Sequence, residues 1–251
     1  MKETCYTLSS ARFGRSLCFA LVSDLHGSDP SAVLRSLERK RPDYILMAGD
    51  IFEKLDGTEE VAQYRAESLL RGASQIAPTM YSTGNHEDGS TRSWCPKGFR
   101  HKPSEKNYAQ KDIQKIKDSG AILLQDSFVC MDGILFGGLS SGLWKENETP
   151  DTVWLKDFCA EDAPKVLLCH HPEYYRKYLK ELPIDLIVSG HAHGGQWRFF
   201  GQGLFAPGQG IFPKYTSGVH DDRFVISTGL KPSGKIPRIF NKPEVVYIYA
   251  Q

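Results

Sequence analysis

Two closely spaced histidines are the first indication of chemistry in this sequence. His191 and His193 follow the apolar run 186–188 and are separated by a single alanine. Residues i and i+2 of an extended chain point to the same side, so both imidazoles could face one point. Two histidines with a common direction at the end of a hydrophobic strand predict a metal site, with a polar loop after a strand as the alternative.

The same pattern recurs at other predicted strand ends. Strands predicted over 16–23, 44–48, 76–82 and 165–169 are each followed by carboxylate, amide or imidazole side chains. Because ligands in α/β proteins bind beyond the carboxyl ends of the strands, we expect these side chains to converge on one edge of a sheet. The donor set is Asp24, His26, Asp50, Asn85, His86, His170, His191 and His193.

This donor set predicts a site for two metal ions. Carboxylate, amide oxygen and imidazole suit Mn, Fe or Zn, and not soft copper sites or iron–sulfur clusters. The donors are too many for one tetrahedral ion with an open position, and they fit two ions that share a bridging carboxylate.

Such a pair of ions favours hydrolysis of a phosphoester. Two cations would neutralise the anionic ester, lower the pKa of a bridging water and orient it for in-line attack. A nearby imidazole would then protonate the leaving alkoxide. We find no G-x-S-x-G, no P-loop and no catalytic Cys–His signature, so no covalent nucleophile is indicated.

Alternating strands and helices must position these donors. An edge strand is predicted over 4–9, and helices are predicted over 31–40, 58–73, 107–119 and 173–182. The second half is richer in strands, with a hairpin turn at Asp132-Gly133. This periodicity predicts an α/β fold.

No linker interrupts the pattern, and we interpret residues 1–251 as a single domain with a polar insertion around 88–110. A loop of this length is usually functional or disordered. It either forms a wall of the site and offers cations to a phosphate, or it is a solvated insertion.

Composition excludes several classes of protein. The chain has 31 basic and 30 acidic residues, so its net charge of +1 indicates no global field for nucleic acid. No apolar run approaches the roughly 20 residues that a membrane span needs. Six cysteines without a C-x-x-C pair favour a reducing, cytoplasmic location. No signal peptide is evident, although removal of a signal or anchor from a longer chain stays open.

Five sequence blocks, in this order, resemble the calcineurin-like metallophosphoesterases. They are D-L-H (24–26), G-D (49–50), G-N-H-E (84–87), H-H-P (170–172) and G-H-A-H (190–193). The further G-G-Q (194–196), S-T-G-L (227–230) and K-P-E (242–244) look like the bacterial YkuE- and YaeI-like branch of that family. That branch is associated with phosphoesters of membrane lipids or UDP-sugar lipids.

The resemblance implies a fold and a set of roles. The fold is a four-layer α-β-β-α sandwich of two mixed β-sheets. Two divalent or mixed-valence ions (Mn, Fe or Zn) are implied, and His86 would contact the scissile phosphate and protonate the leaving group. The ligands would be Asp24, His26 and His193 for the first ion, Asn85, His170 and His191 for the second, and Asp50 as the bridge.

Two positions depart from or qualify the pattern. Glu87 stands where the family more often has aspartate, a residue that usually orients the histidine; the longer arm would therefore loosen or re-aim His86. In H-x-P the first histidine is the ligand, so His171 is expected to line the pocket.

His101 and His220 match no motif and are interpreted as structural or exposed.

The substrate implied by the resemblance is a small-molecule or lipid-linked phosphoester, with no obligatory nucleic acid. Peripheral membrane contact is an expectation that goes with it, and the oligomeric state stays open. Four aromatic side chains could line an apolar entrance, ordinary packing being the alternative; they are Trp94, Trp197, Phe205 and Phe212. Alternative functions are a cyclic-nucleotide phosphodiesterase, a nuclease, a protein phosphatase, or a scaffold, which would typically have lost metal ligands.

Overall fold

The computed structural model describes residues 1–9, 11–53, 59–87, 113–142, 149–231 and 237–251. The polar insertion predicted around 88–110, with Trp94 and His101, therefore lies outside the described residues. Residues 107–112 of the helix predicted over 107–119 also lie outside the described residues. Within the described part, residues 113–118 are helical.

Sixteen strands and four α-helices make up the described structure. The strands are β1 (Lys2–Leu8), β2 (Leu17–Val22), β3 (Tyr44–Ala48), β4 (Thr79–Ser82), β5 (Ile122–Leu124), β6 (Ser127–Met131), β7 (Ile134–Leu139), β8 (Lys165–Cys169), β9 (Leu186–Ser189), β10 (Arg198–Phe199), β11 (Gln202–Gly203), β12 (Phe205–Ala206), β13 (Gly210–Ile211), β14 (Gly218–His220), β15 (Phe224–Ile226) and β16 (Glu244–Ala250). The helices are α1 (Ser31–Lys40), α2 (Glu59–Ile76), α3 (113–118) and α4 (Leu155–Ala160).

The first sheet has six strands in the order β1-β16-β2-β3-β4-β5. Strands β2 to β5 run parallel, whereas β16 is antiparallel to β2 and parallel to β1. Strand β1 is an edge strand, as predicted. The parallel strands β2 and β3 are buried almost throughout, as expected when both faces of a sheet are covered.

The second sheet has the order β14-β15-β9-β8-β7-β6. Its four central strands are parallel, and each outer strand is antiparallel to its neighbour. The β6–β7 connection is the hairpin that the sequence predicts: Asp132 and Gly133 have φ values of 51° and 77°, as a two-residue turn matched to strand twist requires.

The two sheets pack face to face. Phe19 and Leu46 of the first sheet and Phe136 and Val188 of the second belong to one buried cluster. A second cluster joins the outer face of the first sheet to α1, α2 and α3, and a third joins the second sheet to α4. The predicted four-layer α-β-β-α sandwich with two mixed sheets is confirmed.

One predicted helix is shorter than expected and partly of another type. Within the segment predicted over 173–182, residues 173–179 are helical, and Tyr175–Leu179 form a π-helical turn. Pro172 precedes the turn and Pro183 follows it, and a residue before proline is driven out of the helical region. Between β9 and β14 the chain forms two short hairpins, in which β10 pairs with β11 and β12 pairs with β13.

Candidate metal centre

The chain turns sharply where the central strands of both sheets end. Asp24, His26, Asp50, His191 and His193 all have positive φ, between 45° and 63°. The left-handed region is unfavourable for residues with a Cβ atom, and such residues concentrate at functional sites. These turns direct the donor side chains of two sheets toward one another.

Asp24, His26 and His193 form the first group of donors. Their ligand atoms all lie within 4.8 Å of one another. Oδ1 of Asp24 is 3.5 Å from Nε2 of His193 and 3.9 Å from Nε2 of His26. All three side chains are buried. Strand ends of different sheets thus supply one compact site.

Asp50, His170 and His191 form the second group, whose ligand atoms also lie within 4.8 Å of one another. Oδ2 of Asp50 is 3.1 Å from Nε2 of His170. Asn85 is buried. The residue that follows it, His86, donates its backbone N–H to Oδ1 of Asp50 at 2.9 Å, which places the backbone after Asn85 beside this group. The structure therefore brings together the side chains that the sequence predicts.

A single oxygen atom connects the two groups. Oδ2 of Asp50 is 3.1 Å from Nε2 of His170 and 3.8 Å from Nε2 of His26. His170 belongs to the second group and His26 to the first. Oδ2 of Asp50 therefore lies between the two groups of donors.

Backbone carbonyls orient two of the imidazoles. Nδ1 of His170 donates to the carbonyl of Ala48 at 2.6 Å, and Nδ1 of His193 donates to the carbonyl of Lys231 at 2.8 Å. A ring that donates through Nδ1 leaves a lone pair on Nε2 when neutral, which is the usual arrangement of a metal-binding histidine.

The donors fit divalent cations. Among the described residues, the buried atoms Oδ1 of Asn85 and Nε2 of His191 have no hydrogen-bond partner, although buried polar atoms are almost always paired. Burial also lowers the pKa of His191 and of His193 well below the usual value, so these rings are neutral. Neutral imidazoles and an unpaired amide oxygen are suited to coordination.

The charges of the remaining groups depend on each other. Burial would raise the pKa of Asp50, but the imidazoles of His170 and His86 outweigh burial and hold that pKa well below its usual range. Burial would lower the pKa values of the two rings, but the Asp50 carboxylate raises them to about 10 for His170 and about 9 for His86. In the metal-free protein both rings are therefore protonated at neutral pH.

Glu53 is a residue of the candidate site that the sequence did not reveal. Its Oε2 lies 3.2 Å from Nδ1 of His26, and its Oε1 lies 3.1 Å from Nδ1 of His86. One carboxylate thus holds a predicted ligand and the predicted acid at the same time. The only sequence signal was its place three residues after Asp50, within D-I-F-E.

Backbone groups of the loop after β3 bind the carboxylate of Glu87, the residue that the resemblance associates with orienting His86. Its carboxylate accepts hydrogen bonds from the backbone N–H groups of Asp50, Ile51, Phe52 and Gly84 at 2.7–3.1 Å. It also accepts one from the Tyr81 hydroxyl at 2.7 Å. Glu87 therefore fastens the loop after β3, and the carboxylate beside the His86 ring is that of Glu53.

His171 lies next to the ligand groups and forms a further group of metal-capable side chains with Glu173 and His191, but both of its ring nitrogens have other partners. Its Nε2 is 2.9 Å from Oγ of Ser141, and its Nδ1 is 3.3 Å from Oε1 of Glu173. The ring centroid is 4.2 Å from that of His191. This geometry favours His170 as the ligand of the H-H-P block, while His171 packs behind His191.

Glycines allow the ligand loops to approach each other. A Cβ atom on Gly84 would lie 2.2 Å from Oδ1 of Asp50. A Cβ on Gly190 would lie 2.5 Å from Oδ2 of Asp24. Neither distance is compatible with a carbon atom, so both positions need glycine for a steric reason.

We expect Gly84→Ala to weaken metal binding at least about tenfold, because the added methyl displaces the Asp50 carboxylate. Titration calorimetry with Mn²⁺ would measure the loss. Gly72→Ala is the matched control: its new methyl would meet the flexible end of Leu34 at 2.7 Å within α2, where alanine is the better helix former. Equal metal affinity in Gly84→Ala and wild type would contradict the steric argument.

Residues 18–195 match the sequence profile of the calcineurin-like phosphoesterase family. The match covers more than half of the chain, and the chain belongs to this family. The four-layer fold and the groups of metal-capable side chains agree with that membership.

Curated relatives are distant. The phosphodiesterase YaeI of Escherichia coli K12 is 24% identical over 192 residues, which cover 76% of this chain and 60% of YaeI. A transmembrane protein with a metallophosphoesterase domain from Bos taurus is 25% identical over 193 residues, covering 72% of this chain and 41% of that protein. The chain thus spans less than two thirds of the length of both relatives.

Similar solved structures include that of the protein TT1561 of Thermus thermophilus. It aligns with a TM-score of 0.42 at 13% identity and covers 70% of this chain and 82% of that one. None of the helices within the described residues of the present chain combines the length and apolar character needed to cross a membrane.

Proposed function

We propose that this chain is a dinuclear metal-dependent phosphoesterase that hydrolyses a phosphomonoester or phosphodiester. The observation that supports the proposal most directly is the position of Oδ2 of Asp50, 3.8 Å from His26 of one donor group and 3.1 Å from His170 of the other. Family membership supports the reaction class, and the donor set supports Mn, Fe or Zn.

The proposed ligands keep the roles implied by the family resemblance. Bound divalent ions would supply Lewis-acid neutralisation of the phosphoryl charge and would acidify water for the attack. The ligands of the first ion are Asp24, His26 and His193, those of the second are Asn85, His170 and His191, and Asp50 is shared.

His86 is proposed to protonate the leaving group. Its side chain is 21% exposed to solvent, whereas the side chains of His26 and Asp50 are 4% and 2% exposed. The ring is therefore accessible at the mouth of the site. Glu53 holds Nδ1 at 3.1 Å, which leaves Nε2 to hold a proton and donate it to a leaving alkoxide.

Hydrolysis of p-nitrophenyl phosphate and bis(p-nitrophenyl) phosphate tests the proposal. Chelator-treated protein should be inactive, and added Mn²⁺ should restore activity with a stoichiometry of about two ions per chain. The diester is included because the name of the relative YaeI describes a phosphodiesterase. Inactivity toward both esters in protein that has bound two ions would contradict the proposal and would favour a scaffold.

The finer parts of the proposal concern substrate, location and organisation. A lipid-linked phosphoester, a cytoplasmic location and a single domain over 1–251 stay predictions. The five described cysteines are free, which supports a reducing compartment. Pairing of β16 with both β1 and β2, which joins the last strand to the first two, supports a single domain. The balance of 31 basic and 30 acidic residues gives no support to a nuclease.

We expect metal binding to release protons at neutral pH. The pKa of His170 is about 10 in the metal-free protein, so its Nε2 must lose a proton before it can ligate an ion. Because the folded-state pKa is raised, the proton is bound at lower pH and is lost as pH rises toward 10, so metal affinity should increase with pH. Calorimetry in two buffers of different ionisation enthalpy should report about one proton or more per chain. Release of no protons would contradict this charge assignment.

A further inference from the structure

Exposed apolar side chains are concentrated in one part of this molecule. Six of the ten large hydrophobic residues that are exposed among the described residues fall between positions 199 and 240. Single exposed apolar residues are ordinary, whereas a contiguous group marks an interaction surface. We call the following five the apolar rim: Phe199, Phe200, Ile211, Phe212 and Phe240.

The rim is contiguous although its residues are distant in sequence. The rings of Phe199 and Phe240 are 6.0 Å apart. Leu204 joins the two hairpins: its backbone N–H donates to the carbonyl of Trp197 at 2.9 Å, and its carbonyl accepts from the backbone N–H of Phe212 at 2.8 Å. The rim is therefore built from three loops that adjoin one another.

Three rim residues have an unfavourable backbone conformation. Phe200, Phe212 and Phe240 have φ values of 50°, 53° and 52°, in the region that glycine and asparagine adopt readily and bulky residues avoid. Phe200 is fully exposed, and Phe240 and Phe212 are 80% and 69% exposed. The two-residue turn between β10 and β11 requires a positive φ at Phe200, but it does not require a phenylalanine there, and these rings bury little surface in return. Strain of this kind is characteristic of functional positions.

The rim is attached to the turn that carries a metal ligand. A Cβ atom on Gly195 would lie 2.5 Å from the Cα atom of Gly203, so the β10–β11 hairpin rests directly on the turn after His193. Asn241, next to Phe240, donates from Nδ2 to the carbonyl of His193 at 2.7 Å. A surface that binds the rim would therefore lie beside the candidate metal centre.

Cations outnumber carboxylates around the rim. Between positions 186 and 243 the only acidic residues are Asp221 and Asp222, whereas the chain as a whole has 30 acidic residues against 31 basic ones. A cavity of about 360 Å³ lies along the same loop and is lined by Arg176, Lys177, Lys180 and Lys214. The one carboxylate that lines it, Glu173, already lies 3.3 Å from His171. Exposed aromatic side chains bordered by cations match the requirements of an interfacial membrane contact.

We propose that the apolar rim is a docking surface for an anionic phospholipid bilayer. The phenylalanine rings enter the interface, and the cations around the cavity meet the headgroup phosphates. The inference rests on the proposed function in one respect, since docking would bring a lipid-linked phosphoester to the metal centre. The binding itself does not require catalysis.

Sedimentation with phosphatidylcholine vesicles, with and without phosphatidylglycerol, tests this proposal. The wild type should bind the mixed vesicles. Replacing Phe200, Phe212 and Phe240 together by asparagine should reduce the bound fraction about tenfold or more. Because asparagine tolerates this φ region, the variant should melt at the same or a higher temperature. Val153→Asn, which alters another exposed apolar residue at 82% exposure, should bind as the wild type does.

A charge variant tests the preference for anionic lipid. Lys177→Gln with Lys180→Gln should lower binding to the mixed vesicles about tenfold and should leave the weak binding to pure phosphatidylcholine unchanged. Added salt should weaken the binding of the wild type to mixed vesicles and should have less effect on the binding of this variant.

Two results would overturn the proposal. One is failure of the wild type to bind mixed vesicles at low salt. The other is a dimer in sedimentation velocity that the triple asparagine variant abolishes, since the rim would then join two copies of the chain. All variants should keep wild-type hydrolysis of p-nitrophenyl phosphate. A chain that binds vesicles and two metal ions but hydrolyses neither p-nitrophenyl phosphate nor its bis ester would refute the proposed function and leave the docking surface intact.

Discussion

Asp50→Asn is expected to abolish phosphoesterase activity. The substitution keeps the shape of the side chain and removes the negative charge that lies between His26 and His170, at 3.8 Å and 3.1 Å from Oδ2. A neutral amide is a poor bridge between two cations. Since each ion stabilises transition-state charge by several kcal/mol, kcat/KM should fall about 1,000-fold or more.

The metal content identifies the cause of this loss. Elemental analysis of purified Asp50→Asn should find fewer than two ions per chain, in contrast to the wild type. Asp185→Asn is a suitable control, because Asp185 accepts the backbone N–H of Lys165 at 2.8 Å and lies outside the donor groups. The control should keep both ions and its activity. Full metal occupancy and normal kcat/KM in Asp50→Asn would refute the assignment of Asp50 as the bridge.

His86→Ala should lower kcat by about 100- to 10,000-fold without loss of metal, because His86 is the proposed proton donor and not a ligand. The effect should depend on the leaving group. An alkyl phosphoester needs a proton on its departing oxygen, whereas p-nitrophenolate leaves readily without one. The variant should therefore lose more activity toward an alkyl ester than toward p-nitrophenyl phosphate. In the pH profile of kcat, the fall at high pH that marks deprotonation of the acid should disappear.

Glu53→Gln and Glu87→Gln separate the two carboxylates near His86. Glu53 contacts His26 and His86, so Glu53→Gln should reduce metal affinity about 10- to 100-fold and should lower kcat as well. Glu87 receives four backbone N–H groups and the Tyr81 hydroxyl. Glu87→Gln should therefore destabilise the fold by about 3 kcal/mol. If the folded Glu87→Gln protein lost the fall at high pH assigned to His86, Glu87 would be the orienting residue after all.

Much of the candidate site followed from local sequence patterns. The apolar runs before Asp24, Asp50 and His191 predict strands, and parallel strands place their carboxyl ends at one edge. The order of the five motifs then indicated the family and, by resemblance, the four-layer fold. The strand-end donors and the family could both be inferred because they depend only on residue type and spacing, and both can be read from a single sequence.

Sequence and tertiary structure thus determined different parts of this protein. The sequence determined the strands, the donor residues at their ends and the family. Tertiary structure alone decided that Glu53, and not Glu87, lies beside the ring of His86, because side-chain direction in a loop follows from packing and not from a repeating period. It alone also joined Phe199 to Phe240, since surface contiguity depends on how distant loops meet. For the same physical reason, contacts between residues far apart along the chain have no signature in local spacing.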